Sequence, residues 1–156
     1  MHIVLVTPEI PQNTGNIART CAALGAELHL VHPLGFSVEA KALRRAGLDY
    51  WNLLTVHHYD SLADFSDSHD EDRLVLFSSK GATPYTDIAY SADSYLVFGS
   101  ETRGLPEDFV REANHTVARI PTISEARCLN LSNAVAVAAY EVVRQNSFEG
   151  LETRRD

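Results

Sequence analysis

Three short runs constrain this chain more than anything else in it: His2-Ile3-Val4-Leu5-Val6, Leu74-Val75-Leu76-Phe77 and Tyr95-Leu96-Val97-Phe98. A strand with one wet face alternates apolar and polar residues, and these runs do not alternate. They read as strands covered on both faces, the condition of a parallel sheet with helices on either side. Strands are expected at residues 2–6, 27–32, 55–58, 73–78, 95–99 and 116–120. Helices are expected at 15–24, 38–46, 61–65, 107–112 and 132–144. Strand–helix alternation implies right-handed crossovers. No repeat or linker interrupts the pattern, residues 66–72 read as a solvated turn, and 148–156 is a polar tail prone to fraying. The expectation is one α/β domain with a mainly parallel sheet over 1–156. With 45% hydrophobic residues in 156, such a domain can bury a sizeable core.

Composition removes several function classes. No charged-then-apolar leader and no apolar run near the roughly 18 residues of a membrane span is present. Cys21 and Cys128 form neither a CxxC nor a disulfide framework, which fits a reduced compartment, with the cytoplasm as default. A net charge of −8 argues against coating nucleic acid by bulk electrostatics, though not against RNA as a substrate. Part of that charge is local, because five acids fall between Asp64 and Asp72.

In open α/β sheets ligands sit at the carboxyl ends of strands, so the loops after residues 6, 78, 99 and 120 matter most. The first, residues 7–20, is bracketed by Pro8 and Pro11 and carries Gln12, Asn13, Gly15 and Asn16 before Arg19. It reads as an open loop whose chain turns into a helix near Gly15, leaving helix N–H groups ready for a phosphate. The loop after Phe98 holds Gly99 and Gly104, and Pro106 is placed to open a helix. After Ile120 come Asn130, Ser132 and Asn133, three capping-type residues at one helix start, more than a single cap needs.

Familiar alternatives fail on inspection. There is no GxGxxG, no GxxxxGK[ST] and no GxSxG. His57-His58 and the His29/His32 pair lack a partner at metal-ligand spacing and read as strand or surface histidines, so no metal is expected.

Three segments, "IPQNTGNIAR" (10–19), "FGSETRGLP" (98–106) and "RIPTISEARCLNLSNAVAVAAYE" (119–141), resemble in order and spacing the motifs of SPOUT-superfamily RNA 2′-O-methyltransferases. "LGFSVEAKALRRAGLDY" (34–50) stands where the small branch acting on the tRNA wobble nucleotide, the TrmL or YibK type, carries a closely similar segment. The resemblance runs from residue 3 to about 145. It implies a C-terminal deep trefoil knot, a homodimer, and S-adenosyl-L-methionine bound near Phe77, Ser79, Gly99, Ile120, Cys128 and Leu129. Cys128 departs from the serine expected there, and a thiol is the weaker donor. The implied activity is that of a tRNA (cytidine(34)-2′-O)-methyltransferase, acting on cytidine or modified uridine at position 34.

Methyl transfer from a sulfonium to a ribose hydroxyl is an in-line displacement that requires alignment and loss of a proton, and in principle no metal. Asn13, Arg19, Glu101 and Asn130 are expected around that hydroxyl. A guanidinium base is awkward because its pKa exceeds about 12, so a phosphate clamp suits Arg19 better. Glu101 then either fixes Arg19 or Asn13 or takes the proton, while a plain loop carboxylate paired with Arg103 is the bland reading. Lys41, Arg44 and Arg45, with Arg103, are the candidate contacts to the anticodon stem-loop, against a surface face paired with Glu39 and Asp49. Arg127, Arg154 and Arg155 are further phosphate candidates, and Tyr50-Trp51 can stack on a base or belong to the core. The helix at 134–140 is apolar nearly all round, which calls for a partner subunit. A 2′-O-methyltransferase for another tRNA position or for ribosomal RNA, and a catalytically silent RNA-binding scaffold, are the competing readings.

Overall fold

The computed structural model describes residues 1–37, 54–70, 73–112, 116–126 and 128–153. Its seven strands are β1 (His2–Val6), β2 (Glu27–Val31), β3 (Val56–Tyr59), β4 (Leu74–Phe77), β5 (Thr83–Pro84), β6 (Tyr95–Phe98) and β7 (Thr116–Arg119). They form one sheet in the order β3-β2-β1-β6-β4-β7-β5, and every pairing is parallel. The helices are α1 (Pro11–Leu24), α2 (Leu62–Asp67), α3 (Glu107–Glu112) and α4 (Leu131–Gln145).

Both faces are covered, as the unbroken apolar runs require. On one face Ile3, Leu5, Leu28, Leu30, Leu96 and Phe98 pack with Ile17, Ala18 and Cys21 of α1 and Val135, Ala138 and Ala139 of α4. On the other, Val4, Val6, Val31, Leu76 and Val97 pack with Phe65 of α2 and with Leu105 just before α3. Burial pushes the Cys21 thiol up to about 12 and so leaves it inert.

Most expected elements appear with ends shifted by a residue or two. Three readings need correction. Helix α1 begins at Pro11, not near Gly15, because proline's fixed φ suits the first helical position; Gly15 lies buried inside the helix. Strand β5 was not expected, since two residues pairing with β7 at the sheet edge carry no periodicity. Helix α2 runs to Asp67, into the expected solvated turn, with Ser61 as its cap. The helix expected at 38–46 lies outside the described residues.

Candidate active site

The carboxyl ends of β4, β6 and β7 open into a single cleft of about 820 Å³. The loop leaving β6 sets its floor. Gly104 adopts φ +70° and returns its N–H to the Ser100 carbonyl at 2.9 Å, so the loop folds back on itself. A Cβ on Gly99 would lie 1.9 Å from the Gly104 carbonyl carbon, closer than any side chain tolerates. Only glycine fits there.

A row of hydrogen bonds then joins three loops. The Glu101 carboxylate accepts the Glu9 N–H at 2.8 Å, the Ile10 N–H at 3.1 Å and the Asn13 amide at 3.0 Å. The Asn130 amide donates to Asn13 Oδ1 at 3.0 Å. Asn130 Oδ1 in turn accepts the Ser132 N–H at 2.9 Å, the Ser132 hydroxyl at 2.7 Å and the Asn133 N–H at 3.4 Å. The clasp is reciprocal, because Glu9 accepts the Thr102 N–H at 3.2 Å and its hydroxyl at 2.8 Å.

These bonds decide several expectations. Glu101 binds Asn13, one of the two partners considered for it, and its carboxylate turns to Glu9, Ile10 and Asn13 and not to Arg103. Its carboxylate sits at the α1 N-terminus, where negative charge suits the helix dipole, so the expected open phosphate site is filled from within. Asn130 caps α4 and also orients Asn13; the cap is one of its two tasks.

Phe77, Ser79, Gly99, Ile120, Cys128 and Leu129 all line the cleft, together with Asn13, Glu101, Arg103 and Asn130. Arg19 does not: it lies exposed on the third turn of α1. Lys41, Arg44, Arg45, Arg127, Arg154, Arg155, Tyr50 and Trp51 lie outside the described residues. Several lining residues were not singled out from sequence, notably Lys80, Arg111 and Arg119. Lys80 follows β4 and Arg119 ends β7, so the carboxyl-end rule could have found both. With Arg103 they make four cations against Glu101 and Glu107, a local surplus on an acidic chain. Lys80 and Arg111 both pair with Glu107.

The donor set suits a nucleoside-like cofactor. Phe77, Ile120 and Leu129 offer apolar surface, and the close-set backbone at Gly99 offers peptide groups. The volume lies within the few hundred to about 1,000 Å³ usual for small-molecule sites.

Comparison with known proteins places this geometry. The chain is 45% identical over 157 residues to the tRNA (cytidine(34)-2′-O)-methyltransferase of Yersinia pestis, covering 96% of each chain. A solved structure described as giving structural insights into the 2-OH methylation of C/U34 on tRNA superposes with a TM-score of 0.88 at 44% identity, covering 95% of this chain and 97% of that one. The SpoU methyltransferase AviRb from Streptomyces viridochromogenes, in complex with the cofactor AdoMet, superposes with a TM-score of 0.78 at 26% identity, covering 94% of this chain and 58% of that one. The family described as SpoU rRNA Methylase matches residues 1–140. The chain belongs to that family, and its fold is that of the SPOUT methyltransferases.

Proposed function

We propose that this protein is an S-adenosyl-L-methionine-dependent methyltransferase that modifies the 2′-hydroxyl of the tRNA wobble nucleotide, cytidine or modified uridine at position 34. The observation that carries the reading is full-length similarity to a cytidine-34 enzyme, joined to a cleft where the three motif loops meet. Its cation surplus suits a phosphate backbone. The cytoplasm is the proposed location; among the described residues no helix is long and apolar enough to cross a membrane.

When bound, S-adenosyl-L-methionine supplies an activated methyl group. Phe77, Ser79, Gly99, Ile120, Cys128 and Leu129 would hold it. The chain must then align the ribose oxygen with that group, because in-line geometry provides much of the rate. Asn13 and Asn130 act as positioning residues: Asn13 donates to Glu101 and accepts from Asn130, and Asn130 is held in turn by Ser132 and Asn133. Glu101 already accepts three N–H bonds of the roughly four a carboxylate can take, so the role proposed for it is that of a clasp, with the proton passing to another acceptor.

Arg19 is the proposed clamp on an RNA phosphate, acting across a homodimer. Support for the dimer comes from α4, which packs on α1 yet leaves Val137 37% and Tyr140 51% exposed on its outer face. Joining two copies there would cover that stripe, and the proposal assigns Arg19 of one copy to the other's cleft. A monomeric mass in sedimentation equilibrium at micromolar concentration contradicts this. The trefoil threading belongs to the same proposal and is supported by the SPOUT neighbours.

The decisive experiment is nucleoside mass spectrometry of tRNA from cells lacking the protein. Loss of a 2′-O-methyl group mapped to position 34 supports the reading; an intact position 34 overturns it. Arg19→Ala should lower turnover by about 2–5 kcal/mol, roughly 30- to several thousand-fold, with cofactor affinity unchanged by calorimetry. Near-normal turnover, or a defect mainly in cofactor binding, contradicts the clamp. A silent scaffold would show no methyl transfer from either chain.

A further inference from the structure

The amino ends of the strands hold a second cluster that methyl transfer does not use. Parallel register sets His2 opposite Glu27, and sets His29 between Val4 and His57. Residues two apart in a strand share a face, so His2, Glu27, His29 and His57 gather on the α2 side of the sheet. A covered parallel sheet usually carries branched aliphatics there. His29 is only 2% exposed.

The hydrogen bonds assign the ring protons. His69 Nδ1 lies 2.7 Å from the Phe65 carbonyl, which can only accept, so the proton sits on that nitrogen. His69 Nε2 is left to accept the Tyr59 hydroxyl at 3.4 Å. That hydroxyl then accepts from His29 Nδ1 at 2.9 Å. His29 Nε2 is therefore the lone-pair side and accepts from His2 Nδ1 at 3.1 Å, so an ion bound there displaces that proton to His2 Nε2 or to solvent. Glu27 Oε2 stands 3.9 Å from His2 Nδ1, and the three donor atoms lie within 4.8 Å of one another.

We propose that His2 Nδ1, His29 Nε2 and the Glu27 carboxylate form a site for a divalent ion of the zinc class, with a fourth position open to water. Tetrahedral zinc with bonds of about 2.0–2.1 Å sets its donors roughly 3.3–3.4 Å apart. The separations of 3.1 and 3.9 Å bracket that value and the third is within 4.8 Å, so a rotation that draws the Glu27 carboxylate inward closes the site. Two imidazoles and a carboxylate are a donor set that zinc accepts.

The supporting shell is also in place. Tyr59 takes the second nitrogen of His29, and His57 Nε2 meets Glu27 Oε2 at 2.6 Å. Tyr95 stacks on the His2 ring, centroids 4.1 Å apart and planes 8° from parallel. Such outer partners fix ring orientation and ligand basicity. The Glu27 side chain is 41% exposed, which gives an ion a way in. Local spacing predicts no ligands among these histidines because the site is assembled across strands. Lying at the amino ends of the strands, opposite the cleft, the ion would brace β1 against β2 and take no part in methyl transfer.

The test is a zinc titration of the metal-free full chain against a chromophoric chelator. One ion per chain is expected, with a zinc-dependent rise in unfolding temperature. Glu27→Gln and His2→Gln should each weaken binding by at least about 100-fold, and Tyr59→Phe by roughly 10- to 100-fold. His58→Gln, in the separate His32–His58 pair, should leave binding intact. S-adenosyl-L-methionine binding by each variant checks that it folds. Absence of stoichiometric zinc in the unaltered chain leaves only a hydrogen-bonded histidine chain and overturns the proposal. So does zinc binding that survives Glu27→Gln and His2→Gln but is lost with His58→Gln.

Discussion

Helices α1 and α4 pack side by side on the same face of the sheet, yet their first turns are held in opposite ways. Helix α4 is capped from its own sequence by Asn130, whose side chain accepts from Ser132 and Asn133. Helix α1 has Ile10 at the cap position with no side-chain cap of its own, and no acid in its first turn. Its charge-complementing group is Glu101, some 90 residues away, which binds the Glu9 and Ile10 N–H groups. A local cap stabilises a helix. A distant one also ties two loops together, and here the tie places Asn13 against Asn130 beside the cleft.

The sharpest way to break the distant cap is Gly99→Ala. The new methyl would meet backbone at 1.9 Å, so the loop that carries Glu101 must move. Overpacking of this kind costs about 3 kcal/mol of stability, read in thermal unfolding, and because Gly99 lines the cleft, cofactor affinity measured by calorimetry should fall with it. Removing the local cap should hurt less. Asn130→Ala forfeits a helix cap of about 0.5–2 kcal/mol, read in thermal unfolding, plus the bond that orients Asn13, read as lost turnover. The smallest effect is expected at the returning arm of the clasp. Thr102→Val removes a hydroxyl bond to Glu9 at the surface and should cost about 0.5–1.5 kcal/mol. A double-mutant cycle with Glu9→Gln should show coupling between the two, whereas full additivity means the clasp is not a unit.

The same contrast explains what could be read from the chain. The sheet was legible because burial on both faces writes unbroken apolar runs at Leu74–Phe77 and Tyr95–Phe98. The Asn130 cap was legible because a capping side chain and its amides lie within three residues. The start of α1 was misread because Pro8, Pro11 and Gly15 look like loop punctuation, and nothing nearby announces a cap supplied by Glu101. Strand β5 is too short to carry a period. Asn13, Glu101 and Asn130 were grouped through family motifs, while their bonding order required the fold. The His2–Glu27–His29 cluster depends on register between strands, which no pattern within one strand records. Arg19 was expected at the hydroxyl, but helix phase leaves it outside the cleft of its own chain.

In the role proposed for it, Glu101 holds α1, Asn13 and its own loop in place and does not take the proton. Glu101→Gln tests it most directly when unfolding temperature and methyl transfer are measured together. The amide would turn an N–H group toward donors it should accept from, leaving at least one of them unpaired at a cost of about 1–3 kcal/mol. The expected result is an unfolding midpoint lowered by roughly 2–12 °C, with a loss of turnover that accompanies weaker cofactor binding. An unchanged midpoint and cofactor affinity with collapsed turnover at every pH would contradict it and make Glu101 the base.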